Sequence, residues 1–275
     1  MIPADLAPGD AKSLARDWRD IELHCVESGE DPFFDIAYGA LWAQFGAAHE
    51  VEDASVLSRR LCWNGRDLIN GQALLYRLFV LMADGQFAAV RDHTVMIDPE
   101  TEGALVHLSH NLITPIWRRT GLAGWLRALP LQTAREALAL HGRSPESPIT
   151  LVAEMEPLDT DDPQTYARLA AYERAGYLLV DPSRVSYLQP DFRPARVIDA
   201  EGGPRPLSMV LLVRLIGREN ERRITGGEIR QIVNSLYRMF AATFRASDMA
   251  PLAGQIESLP AETESIPLIA PTAQK

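Results

Sequence analysis

The spacing of hydrophobic positions changes along this chain, and each change marks a predicted element. Residues 1–12 carry two prolines and read as an arm. Leu14, Trp18, Ile21 and Cys25 then recur at steps of four and three, which predicts a helix over 13–25. A Ser-Gly-Glu-Asp-Pro turn at 28–32 leads into a second predicted helix, 33–49, carrying Phe34, Tyr38, Leu41, Trp42 and Phe45. A short third helix is predicted over 53–61. From Gly71 the period shifts toward that of strands: 73–82, an Asp-Gly hairpin turn at 83–86, and a returning strand at 87–97. Another strand follows at 104–113, and Pro115 closes it. The helix expected after 118–124 should break or restart at Pro130, with 133–141 as a following helical stretch.

Further on, 149–155 reads as a buried strand and 164–177 as a helix ended by Gly176 at its C-cap. Strand-like pieces at 177–180 and 185–188 precede a proline-rich excursion, 190–206, and a strongly apolar last strand, 207–216. Thr225 and Glu228 fit a capping box that opens a helix to about Phe244, with Ile229, Ile232, Val233, Leu236, Tyr237 and Phe240 on one face. The chain after Pro251, with three more prolines and scattered acids, is expected to be flexible. Four regions result: a helical segment 1–70, a mixed core 71–217, an appended helix 218–248 and a tail 249–275.

Composition narrows the class without naming a function. The 275 residues are 47% apolar and 23% charged, and a core of this size needs no disulfide or metal staple. A formal net charge of -10 and the lack of a long basic run argue against a nucleic-acid backbone binder. The same charge suits a cationic or amine-bearing small substrate. Cys25 and Cys62 lack metal-ligand spacing, no secretory pattern opens the chain, and no apolar run could span a bilayer, so a cytoplasmic protein without a membrane partner is expected.

The chemistry concentrates where the strand at 104–113 ends. Arg118, Arg119, Thr120, Gly121, Leu122, Ala123 and Gly124 form a basic, glycine-punctuated turn into a helix. Free N–H groups of a first helical turn attract anions, and guanidinium forks suit phosphate oxygens. The two arginines could also be the solvated start of a surface helix, but cations there oppose the helix dipole, so a bound anion explains them better. Arg118-x-x-Gly121-x-Ala123 resembles the pyrophosphate-binding signature of the GCN5-related N-acetyltransferase (GNAT) superfamily. Tyr172-Glu173-x-x-Gly176-Tyr177 resembles that family's second block, although Thr165 and Ala171 stand where relatives often carry Asn and Leu. The resemblance covers about residues 72–216, with long insertions around 156–164 and 190–206.

It implies an α/β fold with a mixed, mostly antiparallel central sheet of the acetyltransferase type, flanked by helices. It also implies that acetyl-CoA, or another acyl-CoA, is the co-substrate and that an amine accepts the acyl group. In such proteins the strand before the arginine turn diverges from the next parallel strand, and the pantetheine arm lies in the opening. Backbone groups of Leu112 and Ile113 would then face it. Tyr172 matches the tyrosine that protonates the departing thiolate; its phenol, near 10, lies close to a thiol's roughly 8.5. The usual strand glutamate is missing, which leaves His107, His110 and Glu154 as candidate bases.

His107 and His110 are three apart, so on a regular strand they face opposite sides, and only a bulge would turn either toward the opening. Each is equally readable as a satisfied structural histidine. No metal motif is present. The rival reading is an inactive acyl-CoA-binding or protein-interaction module on the same fold. The appended helix needs a partner for its apolar face, either its own N-terminal helices or a second subunit, and a homodimer is the slightly preferred expectation.

Overall fold

A computed structural model describes residues 6–7, 10, 13, 17–159 and 161–273. In chain order the elements are β1 (Ile21–Cys25), α1 (Pro32–Phe45), α2 (Ala54–Arg60), β2 (Asn64–Ile69), β3 (Gln72–Ala83), β4 (Gln86–Ile97) and β5 (Ala104–Ile113). There follow α3 (Leu122–Leu140), β6 (Ile149–Met155), α4 (Pro163–Arg174), β7 (Leu178–Val180), β8 (Tyr187–Gln189), α5 (Ala195–Ala200) and β9 (Leu207–Ile216). The chain closes with β10 (Arg223–Thr225), α6 (Gly226–Phe240), α7 (Ala246–Met249) and β11 (Ser265–Ile269).

Local chemistry sets the boundaries. Asp31 caps α1 by accepting from the Phe33 N–H, with Pro32 in the first turn, and Asp162 with Pro163 does the same for α4. The predicted capping box of α6 is complete: the Thr225 side chain accepts from the Glu228 N–H, and the Glu228 carboxylate accepts in return. At the β3–β4 turn both Asp84 and Gly85 have positive φ, 49° and 73°, as the tight hairpin requires.

Four expectations are corrected. Residues 21–25 form β1 rather than the end of a helix; they pair with β3, and alternation at Ile21, Leu23 and Cys25 outweighs the helical spacing. Leu14, the first apolar position of that predicted helix, lies outside the described residues. A strand not anticipated, β2, joins β3 through Asn70-Gly71, both at positive φ. Pro130 does not interrupt α3, because its ring is buried with Leu126, Leu129, Leu131 and Ala134 on the face that packs on the sheet. That burial offsets a loss of about 3 kcal/mol for a proline inside a helix. Finally, the region after Pro251 is not a flexible tail: β11 pairs with both β10 and β7.

The eleven strands described form one sheet with the order β1-β3-β4-β5-β6-β9-β7-β11-β10, while β2 pairs with β3 and β8 with β9. Among the described residues β5 and β6 make the only parallel pair. The fold is thus a mixed, mostly antiparallel sheet with helices on both faces, as expected. One face is covered by α1, α2 and α6, which pack with Leu105, Val152 and Leu211. The other is covered by α3 and α4, which pack with Val106, Leu151 and Ala153. Ile229, Ile232, Val233, Leu236, Met239 and Phe240 of α6 are all buried in the first core, so its apolar face is occupied within the chain.

Candidate active site

Three irregularities of the sheet build the site. First, the parallel pairing of β5 with β6 runs from Ala104↔Ile149 to His107↔Val152 and stops, although both strands continue. The strands therefore part, as the resemblance implies. Second, β5 advances from Leu108 to Asn111 while β4 advances from His93 to Arg91, which leaves one extra residue of β5 at Ser109–His110. This bulge reverses the alternation of side chains, so His107 and His110 share the face that carries α1. Third, beyond the strand, Arg119 at φ 65° and Gly121 at φ 98° curl the turn before α3 starts at Leu122.

The turn has the predicted form. Arg118 and Arg119 are exposed; the Arg118 Nε donates to the Ile113 carbonyl over 3.2 Å, and the Thr120 hydroxyl to the Trp117 carbonyl over 2.7 Å. Part of the N-terminal arm rests on the same helix start. The Ser13 hydroxyl donates to the Gly121 carbonyl over 2.6 Å, and Asp10 pairs with Arg127. Gly124 is required for this close approach, since a Cβ there would lie 2.2 Å from the Ser13 Oγ.

Where β5 and β6 part, a cavity of about 370 Å³ passes through the sheet. On the α3 and α4 side it meets Arg91, Arg127, Arg168, Tyr172 and Tyr177; on the α1 side it meets Phe45, Glu50, His110 and Glu154. Arg91 is only 3% exposed, and its Nε has no hydrogen-bond partner. Burial raises the Tyr172 phenol above its ordinary value, against the pull of the Arg91, Arg127 and Arg168 charges, so the hydroxyl keeps its proton. Burial and the neighbouring Glu156 carboxyl hold Glu50 above the usual carboxylate range. Arg168 reaches Glu156 over 3.1 Å at the rim.

Two histidine–carboxylate pairs stand beside the bulge. The His107 Nε2 is 2.8 Å from a Glu154 oxygen, and its Nδ1 is 3.3 Å from the Ser109 hydroxyl. Glu154 also accepts from the Tyr187 hydroxyl and, over 3.1 Å, from the Gln189 amide. Burial would raise its pKa, but these hydrogen bonds and His107 bring it below the ordinary carboxylate value. The ionised carboxylate fixes the proton on Nε2 and leaves Nδ1 as the acceptor, an assignment made from the hydrogen-bond network. His110 differs. Its Nδ1 is 3.0 Å from Asp92 and its Nε2 3.0 Å from the Glu50 carbonyl, so both nitrogens must donate. Burial disfavours the cation, yet Asp92 overcomes it and raises His110 to about 9, while Asp92 itself falls to about 2.

The geometry brings together His107, His110 and Glu154; His110 and Glu154 line the cavity with Tyr172 on its opposite side, while His107 lines the smaller pocket beside it. Leu112 and Ile113 lie on the parted end of β5, and 118–124 form the helix start above it. The sequence reading did not single out Ser109, Arg91, Glu50 or Gln189 as site residues. Ser109 had a signal in its two-residue spacing from His107; the others are brought in by tertiary packing. A smaller pocket of about 40 Å³ adjoins the cavity and is shared by Glu52, Arg60, His107, Ser109 and Glu154. Among the described residues no helix is long and apolar enough to cross a membrane.

No protein-family model matches the chain, and no curated protein matches it. Solved structures to which it is similar include an aminoglycoside 6'-N-acetyltransferase complexed with coenzyme A, at 12% identity over 71% of this chain and 97% of that one, with a TM-score of 0.39. Ard1 from Thermoplasma volcanium is similar at 12% identity over 72% of this chain and 98% of its own, with a TM-score of 0.38. The ribosomal-protein-S18-alanine N-acetyltransferase from Escherichia coli is similar at 14% identity, 71% and 94% coverage, and a TM-score of 0.32. At these scores the likeness carries no weight of its own; the fold rests on the strand order and the parted parallel pair.

Proposed function

We propose that the chain, built on a sheet of the GNAT type, transfers an acetyl or other short acyl group from an acyl-CoA to a primary amine. The observation that carries this reading is the cavity through the sheet, cationic and tyrosine-bearing on one side, acidic on the other. The buried Arg91 Nε without a partner fits an anionic, elongated ligand entering from the α3 side. Arg118, Arg119 and the backbone from Thr120 to Gly124 would hold the pyrophosphate. The side of β5 that faces β6 beyond their last pair, at Leu112 and Ile113, would hold the pantetheine arm. The thioester supplies an activated acyl carbonyl.

The chain's own residues divide the remaining work. Glu50, Glu154 and Glu156 make the acceptor side attractive to an ammonium ion. His107, oriented by Glu154, takes the amine proton at Nδ1, directly or through the Ser109 hydroxyl. Tyr172, kept neutral by burial, donates to the departing sulfur. His110 has both nitrogens engaged and serves as a fixed cation that pins the bulge rather than as the base.

The rival, an inactive binding or interaction module, would be favoured by a closed, apolar acceptor side. Glu50, Ser109, His110 and Glu154 line it instead, which favours transfer. We keep the cytoplasmic, small-molecule reading without a nucleic-acid or membrane partner, but the helix that motivated a homodimer has its apolar face covered within the chain. Mass spectrometry of the protein with acyl-CoA thioesters and an amine library tests the proposal. Transfer predicts a new N-acyl product matched by free CoA; CoA binding with no product from any amine would favour the inactive module.

A further inference from the structure

Ser109 could do more than relay a proton to His107, because its surroundings are those of an activated nucleophile. It occupies the bulge, just past His107↔Val152, the last parallel pair, so its side chain lies at the point where the strands part. It is half-buried and borders both the large cavity and the small polar pocket. Its Oγ is 3.3 Å from the His107 Nδ1, and the His107 Nε2 is 2.8 Å from the Glu154 carboxylate. The Glu154 side chain, 3% exposed, is in turn held by Tyr187 and Gln189. A hydroxyl, an imidazole and a carboxylate thus stand in series, each oriented by the next, which is the arrangement that activates serine in acyl transfer. The two ring nitrogens exchange their usual partners here, because the histidine lies two residues before the serine on one strand. A contact of 3.3 Å is within the looser range seen before a substrate tightens such a site.

We infer that Ser109 accepts the acyl group itself, so that the protein works through an acyl-serine ester and hydrolyses acyl-CoA slowly when no amine is present. This rests on the acyl-CoA reading above. In the first half the Oγ–carbonyl bond forms and the carbon–sulfur bond breaks. The hydroxyl proton passes to the His107 Nδ1 while the Tyr172 hydroxyl protonates the sulfur, which leaves as free thiol, and the proton held by His107 then restores the phenol. In the second half an amine or water attacks the ester carbonyl, the carbon–Oγ bond breaks, and the proton it loses returns through His107 to Oγ. No oxidant or other co-reactant is needed.

The test uses the full chain with acetyl-CoA and no amine. CoA affinity is measured first by calorimetry, for the native chain and for S109A, and should agree within about threefold. Acid quenches from milliseconds to minutes are then analysed by intact mass and peptide mapping, and exchange of labelled free CoA into acetyl-CoA is followed in parallel. The inference predicts an acetyl ester on Ser109 or CoA exchange in the native chain, neither in S109A, and a fall in thiol release of about 100-fold or more. Ester or exchange that persists in S109A, or that is absent from a native chain that binds CoA, overturns it. A native chain that fails to bind CoA removes the acyl-CoA reading, and this inference with it.

Discussion

His107 and His110 lie three residues apart on one strand, and each faces a buried carboxylate, but they are chemically different groups. His107 meets one carboxylate and one hydroxyl, so a single nitrogen is left to accept a proton. His110 meets a carboxylate and a carbonyl, both acceptors, and is held as a cation. The backbone N–H of His110 also donates to Asp92 over 2.7 Å, and the Tyr76 hydroxyl donates to the same carboxylate over 2.9 Å. The second pair is therefore an anchor for the bulge, and the first is the one free to move a proton. What an imidazole can do is set by its second nitrogen more than by its carboxylate.

The largest expected effect that separates the two comes from their carboxylates and rings in turn. H107Q should lower amine acylation by roughly 10²–10⁴-fold with CoA affinity unchanged, as for loss of a general base; steady-state rates beside calorimetry check this. D92N should act on folding. It leaves a buried imidazolium without its counter-charge, which costs about 3–5 kcal/mol, and denaturant titration should show it as a lower midpoint. If H107Q destabilised the chain and D92N only slowed the reaction, the assignment of the two pairs would be reversed.

A smaller change is expected at the other side of the cavity. Y172F should slow acylation by about 10–100-fold, with a greater loss for thioesters whose thiol has a high pKa, because the proton donor to the sulfur is gone. An unchanged rate across a series of thiol leaving groups would remove Tyr172 from the chemistry and leave it a packing residue.

The smallest effect is the pH dependence of stability from the His110–Asp92 pair. His110 is raised from about 6.5 to about 9, so its contribution is fully present below the lower value and is lost as pH rises through about 9. Asp92 is lowered from its ordinary 3.8 to about 2, so its contribution is present above the higher value and is lost as pH falls through about 2. Thermal midpoints of the native chain should decline on both sides of that window. In D92N the alkaline decline attributable to His110 should disappear.

Much of this was legible in the sequence. The strand, the arginine–glycine turn and the helix start are local, and their residues carry the signal themselves. The apolar runs at 149–155 and 207–216 likewise declared buried strands. The bulge did not, because an extra residue in β5 shows only against β4, and the sequence left both histidine orientations open. Ser109 was passed over for the same reason, since its value depends on where His107 and Glu154 point. The elements misread at the ends of the chain share a cause: β1 and β11 are edge or late-joining strands of five residues each, with polar or proline-bearing composition. Their pairing with β3 and β7 outweighs their weak local preference.

The parted strands and the turn above them are expected to take an acyl-CoA. Calorimetry of the full chain with CoA, and with pantetheine lacking the phosphates, tests it most directly. Tight binding of CoA is expected, with a large loss of affinity for pantetheine and a similar loss for CoA when Arg118 and Arg119 are both replaced. Equal affinity for CoA and pantetheine, or no binding of either, would contradict it.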